Sequence, residues 1–274
     1  MSEQVRLHLA YGGDGSARDL LLRHGAALAG YSHLAGPDAA GHRSGELVIH
    51  PAHRRRGLGL ALARAAVAEA SPLPVRIWAH GDLPAAARLA ADAGFTRVRA
   101  LHQMRRSLRE PVPEPRLPEG VTLRAFVPGT DEDEWLAVNA AAFASHPEQG
   151  SWTRAELEHR EAQPWFDPAG VFLAVRDGRM VGFHWTKVHG QRRAAGADGR
   201  TGEVYVVGVH PGEQGTGLGR ALTLAGLAHL RAQEIPEVML YVDGENAAAI
   251  RLYESLGFAQ ASTDVMYEHA AMTG

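Results

Sequence analysis

Residues Gly202–Arg220 read GEVYVVGVHPGEQGTGLGR, and this stretch decides the fold. A strand is expected from Glu203 to His210, closed by His210-Pro211. A loop follows that carries Gln214-x-x-Gly217-x-Gly219, and an Ala/Leu-rich helix is expected to open near Gly217. Glycines there let the backbone turn tightly and come close to a ligand. Several amides then point outward at a helix N-terminus, where the dipole favours an anion. The loop suits a phosphate or pyrophosphate. It is not a Walker loop, because no Gly-Lys-Ser/Thr closes it.

A second copy lies upstream. Glu46–Leu60 reads ELVIHPAHRRRGLGL, with Arg54-x-x-Gly57-x-Gly59. His50-Pro51 and His210-Pro211 stand at the same separation as Gly59 and Gly219, and both copies lead to a helix ending in Gly-Phe, Gly94-Phe95 and Gly257-Phe258. One glycine-rich loop is weak evidence. The same order of strand, His-Pro, loop, helix and Gly-Phe occurring twice indicates a tandem duplication of one α/β domain with a mixed sheet.

Bulk properties bound the function. The 274 residues fit one large or two modest domains, and 45% apolar with 22% charged residues is ordinary for a globular chain. A formal net charge of −3 offers no basic field, so no nucleic-acid partner is expected. No apolar run is long enough to cross a bilayer, so no membrane span is expected. The opening MSEQVRLHLAYGG lacks the apolar core of a signal peptide, which makes the cytoplasm the expected location. Cysteine is absent, which excludes disulfides, thiolate metal sites and a cysteine nucleophile. The fifteen histidines contain no His-x-x-x-His pair with a neighbouring acid, so no metal is expected. Lys187 is the only lysine among 28 Lys+Arg residues. A compact ammonium retained in so arginine-rich a chain points to a role that a planar fork cannot fill, with chance as the alternative.

In chain order, a helix is expected over 2–10, a hairpin over 19–24 and 27–33, and a strand over 45–49. A helix at 58–70, a strand at 75–79, a helix at 84–93 stopped by Gly94, and a strand at 97–105 complete the first half. Glu110–Gly120, EPVPEPRLPEG, reads as an extended linker between a domain at 1–109 and another at 121–274. The second half begins with a strand at 121–126 and an acid-led helix at 131–143. A loop at 146–152 precedes a helix capped by Thr153-x-x-Glu156. A hairpin at 170–175 and 180–189 turns on Asp177-Gly178, and a polar loop at 191–201 leads to the Glu203 strand. After the glycine loop come a helix to about 233, a strand at 238–242, a helix at 246–256 and a last strand.

This order, with its Gln/Arg-x-x-Gly-x-Gly loop, resembles the GNAT superfamily of N-acetyltransferases, and the resemblance covers both halves. It implies acetyl-CoA as co-substrate. The loop amides of Gln214, Gly215, Thr216, Gly217, Leu218, Gly219 and Arg220 would bind the pyrophosphate, and the Val207, Gly208 and Val209 backbone would pair with the pantetheine arm. The helix start at Asn246, Ala247, Ala248, Ala249, Ile250 and Arg251 would complete the site. Leu47, Val48, Ile49, Arg55, Arg56, Gly57, Leu58, Gly59 and Leu60 form the corresponding set in the first half. HPEQG at His146, FHWTKVH at Phe183, GEVYVVGV at Gly202, LYV at Leu240 and the Asn246 helix start are similar to two-domain members of the superfamily. Those members acetylate the cysteinyl amine of the pseudodisaccharide cysteinyl-glucosaminyl-inositol. By that resemblance Glu3, Glu148, Lys187, Glu203 and Tyr241 contact this small-molecule substrate, and the enzyme is expected to work as a monomer.

Acyl transfer from a thioester needs a neutral amine, and an α-amino group has a pKa of ~7.7–8.0, so a modest base suffices. Glu203 at the start of the cofactor strand is the candidate base; a solvated strand-end carboxylate is the alternative. Tyr253 is the acid the resemblance implies for the departing thiolate; otherwise it is an aromatic beneath Gly257-Phe258. Shifting Glu203 back by the repeat offset lands on Arg43, and Ala90 stands opposite Tyr253. The first half therefore keeps a CoA-type loop without either proton-transfer group. It is also shortened, with much less chain before its central strand than the second half has; either the start lies upstream or this copy is trimmed. Another small amine, a protein N-terminus, or a non-catalytic acyl-CoA sensor remain open as functions.

Overall fold

A computed structural model describes residues 2–12, 15–38, 40–144, 147–190 and 199–271, with the side chains of Gln4, Pro147 and Glu148 outside the described set. The chain forms two compact units. The first holds Met1–His102, Asp243–Glu245 and Ser262–Gly274, and the second Gln103–Val242 and Asn246–Ala261.

In chain order the elements are α1 (Glu3–Tyr11), β1 (Arg18–His24), β2 (Ala27–Pro37), β3 (Arg43–Ile49), α2 (Leu58–Ala70), β4 (Val75–Ala79), α3 (Pro84–Asp92) and β5 (Thr96–Ser107). Then follow β6 (Val121–Ala125), α4 (Glu132–Ala142), α5 (Pro147–Gly150), α6 (Arg154–Glu161), β7 (Val171–Arg176), β8 (Arg179–His189) and β9 (Thr201–Val209). The chain closes with α7 (Leu218–Ala232), β10 (Glu237–Asp243), α8 (Ala247–Ser255) and β11 (Ala259–His269).

In the first unit β1, β2 and β3 run antiparallel, and β3 pairs in parallel with β4. Helix α2 turns Ala63, Ala66 and Ala70 onto Leu34, Val75 and Ile77, with Phe95, Val265 and Tyr267 closing the core. Small side chains on α2 let it lie close to the strands. In the second unit β6, β7, β8 and β9 are antiparallel, and β9 pairs in parallel with β10. Leu224, Leu227 and Leu230 of α7 pack on Val204, Val238 and Leu240. Each fully buried leucine contributes roughly 1.5–3 kcal/mol, which makes this interface the main anchor of β9. The β7–β8 turn adopts left-handed conformations at Asp177 (φ 50°) and Gly178 (φ 76°), as an Asp-Gly hairpin requires. The Thr153–Glu156 capping box forms in full.

The structure departs from two expectations. The stretch expected as a loop over 146–152 contains the short helix α5, held where Asn139 Nδ2 donates to the Gln149 carbonyl at 2.7 Å. The division of the chain also differs from a break at the proline-rich segment. The units part within β5, and the end of β11 joins the first unit, because Val265–His269 pairs antiparallel with β4 and Arg76 Nε meets Glu268 Oε2 at 2.6 Å. The proline-rich stretch forms neither helix nor strand, yet it is no free spacer. Val112 and Leu117 pack against second-unit core clusters, and Arg106 donates to the Pro111 carbonyl at 2.8 Å.

Candidate active site

The two glycine loops share one backbone design. After β9 a single 3-10 turn, Pro211–Glu213, is capped by His210 Nδ1 accepting from the Gly212 amide, and α7 opens on Gly217 at φ 88°. After β3 the turn Pro51–His53 is capped by His50 Nδ1 accepting from Ala52, and α2 opens on Gly57 at φ 76°. A Cβ at Gly215, Gly217 or Gly57 would meet no atom within 4 Å. These glycines serve left-handed backbone and an open approach above the helix N-terminus, not internal packing. Gly215 sits at φ 80°, and its counterpart Arg55 holds φ 63° without the benefit of glycine. The first loop thus keeps the turn with an arginine in it. Arg56, Leu58, Gly59 and Leu60 continue that loop into α2, as Thr216, Leu218, Gly219 and Arg220 do into α7. Arg220 also donates to Ser255 Oγ of α8 at 2.8 Å.

The strands before the loops separate from their parallel neighbours. Registered pairing of β9 with β10 stops at Val204↔Leu240, although β9 runs on to Val209. Pairing of β3 with β4 likewise stops at Glu46↔Trp78, ahead of Leu47, Val48 and Ile49. Backbone groups on that edge of Val207–Val209 therefore lack a neighbouring strand in the registered ladder, the arrangement an extended acyl arm can complete. Gly208 has a packing role as well: a Cβ there would lie 2.7 Å from the Phe183 ring. On α8, Asn246 caps the first turn by accepting from the Ala249 amide at 3.0 Å, ahead of Ala247, Ala248, Ile250 and Arg251.

A bulge sets the chemistry of β9. Trp185 pairs with Val206 and Thr186 with Val204, so Tyr205 is the extra residue. The bulge lets Val206 and Glu203 share a face despite their odd spacing. Lys187 pairs with Glu203 across β8–β9, and Met239 pairs with Glu203 across β9–β10. Paired residues share a sheet face and alternate residues return to it. Lys187, His189, Glu203 and Tyr241 therefore belong to one face, opposite the face that Val204 and Leu240 turn to α7. Glu203 is 8% exposed, and its Oε2 lies 2.6 Å from His189 Nε2. The carboxylate only accepts, so Nε2 carries the proton. Lys187 is 4% exposed, its ammonium 4.0 Å from the Trp165 ring centre and 4.6 Å from that of Tyr205. Two aromatic faces hold the cation in place of water. Tyr241 is exposed and its hydroxyl accepts from Gln103 Nε2 at 2.8 Å.

Tyr253 lies in the core with Val204 and Leu240, edge-on to Phe258 at 5.8 Å. Burial pushes its phenol up to about 12. His146 and the Glu148 side chain lie outside the described residues. Glu3 begins α1 in the first unit. Sequence reading missed His189, Trp165 and Tyr205. The available signal was the position of His189, two residues beyond Lys187 on the same strand.

Residues 135–258 match the family model described as Acetyltransferase (GNAT) family. A mycothiol acetyltransferase of Thermobispora bispora is 63% identical over 97% of this chain and 88% of its own length. One of Thermomonospora curvata is 57% identical over 98% of this chain and 86% of its own. The chain belongs to the mycothiol acetyltransferase family. Among solved structures, a GCN5-related N-acetyltransferase from Sphaerobacter thermophilus superposes with a TM-score of 0.72, 26% identity and coverage of 100% of this chain and 87% of that one. A tandem GNAT protein from the clavulanic acid biosynthesis pathway, 23% identical, shares the fold with a TM-score of 0.73 over 98% and 88% of the two chains.

As a mycothiol acetyltransferase family member and GNAT enzyme, the chain uses acetyl-CoA as acyl donor. The first unit carries different groups where its strands separate. Glu46 accepts the Ser2 amide through both oxygens at 3.0 Å and faces His80 Nε2 at 3.1 Å. Burial pushes the Glu46 carboxyl up, but hydrogen bonds from His80 and Ser2 outweigh it and bring it down to about 2. Asp264 and Glu46 flank His80 and raise it to about 9. One imidazolium thus stands between two carboxylates, and one negative charge remains uncompensated within the set. Arg43, the counterpart of Glu203, donates to the carbonyls of Ser16 and Ala35, and Ala90, the counterpart of Tyr253, is buried in the core.

Proposed function

We propose that the chain is a mycothiol synthase. It transfers acetyl from acetyl-CoA to the cysteinyl amine of cysteinyl-glucosaminyl-inositol, releasing mycothiol and CoA. The observation that carries this reading is Glu203, a nearly buried carboxylate held by His189 where β9 leaves β10, on one face with Lys187 and Tyr241. High identity to named mycothiol acetyltransferases supports the choice of amine.

In this scheme the amides of Gln214–Arg220 hold the pyrophosphate, and the Val207–Val209 backbone holds the pantetheine arm with the Asn246–Arg251 turn beside it. The amine nitrogen attacks the thioester carbon as Glu203 takes its proton. An amide near Val209 stabilises the oxyanion. The C–S bond then breaks, and the thiolate is met by Tyr253. A phenol near 12 stays protonated at neutral pH, but full transfer to a thiolate of pKa about 8.5 is uphill by roughly 5 kcal/mol. Tyr253 therefore acts first as a hydrogen-bond donor to the sulfur, and the proton follows from solvent exchange. Lys187, Tyr241 and Glu148 bind the pseudodisaccharide. The first unit binds a second CoA without catalysing transfer, since Glu46, the acid where its strands splay, is held by Ser2 and His80 and at about 2 is too weak a base to take the proton of an amine. The enzyme acts as a cytoplasmic monomer.

The test is acetyl-CoA turnover with cysteinyl-glucosaminyl-inositol against polyamines, aminoglycosides and peptide N-termini. A kcat/KM at least ~10²-fold higher for the pseudodisaccharide is expected, the scale set by a site built to hydrogen-bond its substrate. Equal or faster turnover of another amine assigns the site to that amine.

A further inference from the structure

Helix α1 has little apolar anchorage. Among its described side chains only Val5 is buried, while Leu9 and Tyr11 are about half exposed. A nine-residue helix is unstable alone and needs tertiary contacts. Its start is tied by the Ser2 amide on Glu46. Its last turn meets a different group of side chains. His8 Nε2 lies 3.4 Å from Asp19 Oδ2 of β1, and Asp19 Oδ1 lies 2.9 Å from His33 Nδ1 of β2. The two imidazole rings are 4.5 Å apart, and the three donor atoms lie within 4.8 Å of one another.

We propose that His8, Asp19 and His33 bind one divalent transition-metal ion, with Zn²⁺ the best match, and that the ion staples α1 to the β1–β2 hairpin. Two imidazoles and one carboxylate form a borderline N,N,O set that suits Zn²⁺ and leaves a fourth position for water. Ligands about 2.1 Å from a tetrahedral ion stand roughly 3.4 Å apart. Asp19 Oδ2 already stands at that value from His8 Nε2, whereas the other oxygen, Oδ1, makes the contact to His33 Nδ1; with one ligand atom from each residue the three lie within 4.8 Å, and the set closes further around the ion. Tyr31 donates its hydroxyl to Asp19 Oδ1 at 2.6 Å, a contact that orients a ligating carboxylate from behind. His33 is buried and fixed, whereas Asp19 is exposed and leaves a path for entry. The ligands come from three separate elements, too widely spaced along the chain for any short sequence motif to reveal them. No other group of three such side chains occurs among the described residues. The alternative is a carboxylate shared between two histidines by hydrogen bonds alone, and the two differ in what they bind.

Chelator-treated full-length protein is titrated with Zn²⁺ by calorimetry and with Co²⁺ by visible absorption, with Mg²⁺ as control. One Zn²⁺ per chain, a d–d spectrum of low-coordinate Co²⁺ and a Zn²⁺-dependent rise in melting temperature are expected. His8→Gln and Asp19→Asn should each remove the ion, and Tyr31→Phe should weaken it on the order of tenfold. His269→Gln, at a partly exposed histidine in the same unit, should leave binding unchanged. His8→Gln alters a partly exposed helix end, and circular dichroism verifies that it folds. Absence of Zn²⁺ binding by the wild type, or undiminished binding by folded His8→Gln and Asp19→Asn, overturns the site.

Discussion

Replacing Glu203 by Gln separates two ways in which a base serves acyl transfer. Gln keeps the shape of the side chain and an oxygen that accepts from His189 Nε2, so the 2.6 Å contact survives in neutral form. A hydrogen bond to a charged group contributes roughly 1.5–3 kcal/mol and a neutral one about 1, so the folding cost is at most about 2 kcal/mol. The loss in rate is larger, ~10²–10⁴-fold, because the proton has no acceptor in the transition state. Its pH dependence is bounded by the amine. With an amine pKa of about 7.8, about 14% is neutral at pH 7 and about 94% at pH 9. Raising the pH therefore recovers at most about sevenfold. If Glu203 served only to deprotonate the free amine, the variant at pH 9 would reach the wild-type rate. If Glu203 accepts the proton during attack, a deficit of tenfold or more persists. The assay is single-turnover acetylation under saturating acetyl-CoA from pH 6.5 to 9.5. A folded Glu203→Gln within threefold of wild type at pH 7 refutes the assignment of the base.

Gly217→Val forces a side chain into φ 88°, which costs about 1–2 kcal/mol, and places methyl groups over the open loop, so KM for acetyl-CoA should rise at least tenfold while far-ultraviolet circular dichroism is retained. Lys187→Arg brings a planar guanidinium against the Trp165 and Tyr205 rings; KM for the pseudodisaccharide should rise and that for acetyl-CoA should not, as steady-state kinetics with each substrate varied will reveal. A Cβ at Gly226 would overlap the buried His184 ring, so Gly226→Ala should lower stability by about 1–3 kcal/mol in urea unfolding, despite the better helix propensity of alanine. Burial lowers His184 to about 4, so the folded state resists its protonation; stability is complete above about pH 6.5 and falls as pH drops toward 4, a loss that melting curves of His184→Gln should lack.

The legible parts of the fold were those fixed by local chemistry. Asp177-Gly178 demands a left-handed turn, Thr153 and Glu156 cap each other, and Gly57 and Gly217 release the backbone where a helix opens. The repeat made the two loops visible because the same local demands recur. What stayed hidden depends on partners distant in sequence. Nothing in Val265–His269 names β4, formed far earlier in the chain, as its neighbour. The His189–Glu203 contact depends on strand register, and the Tyr205 bulge resets which side chains share a face. The Glu46–His80–Asp264 set draws on three separate stretches. Sequence reading singled out Glu203 but could not say what holds it.

The return of β11 to β4 has a consequence for synthesis. The first unit contains the earliest residues of the chain and also Ser262–Gly274. On a ribosome β4 emerges early, with one edge awaiting a strand that is not yet translated. At roughly 5–20 residues per second, the stretch in between takes on the order of ten seconds or more. During that interval Val75, Ile77 and the α2 alanines lack the cover of Val265 and Tyr267, and an unpaired strand edge is open to wrong partners. The first unit is thus completed only after β11 has been made, later than the strands of the second unit that precede it.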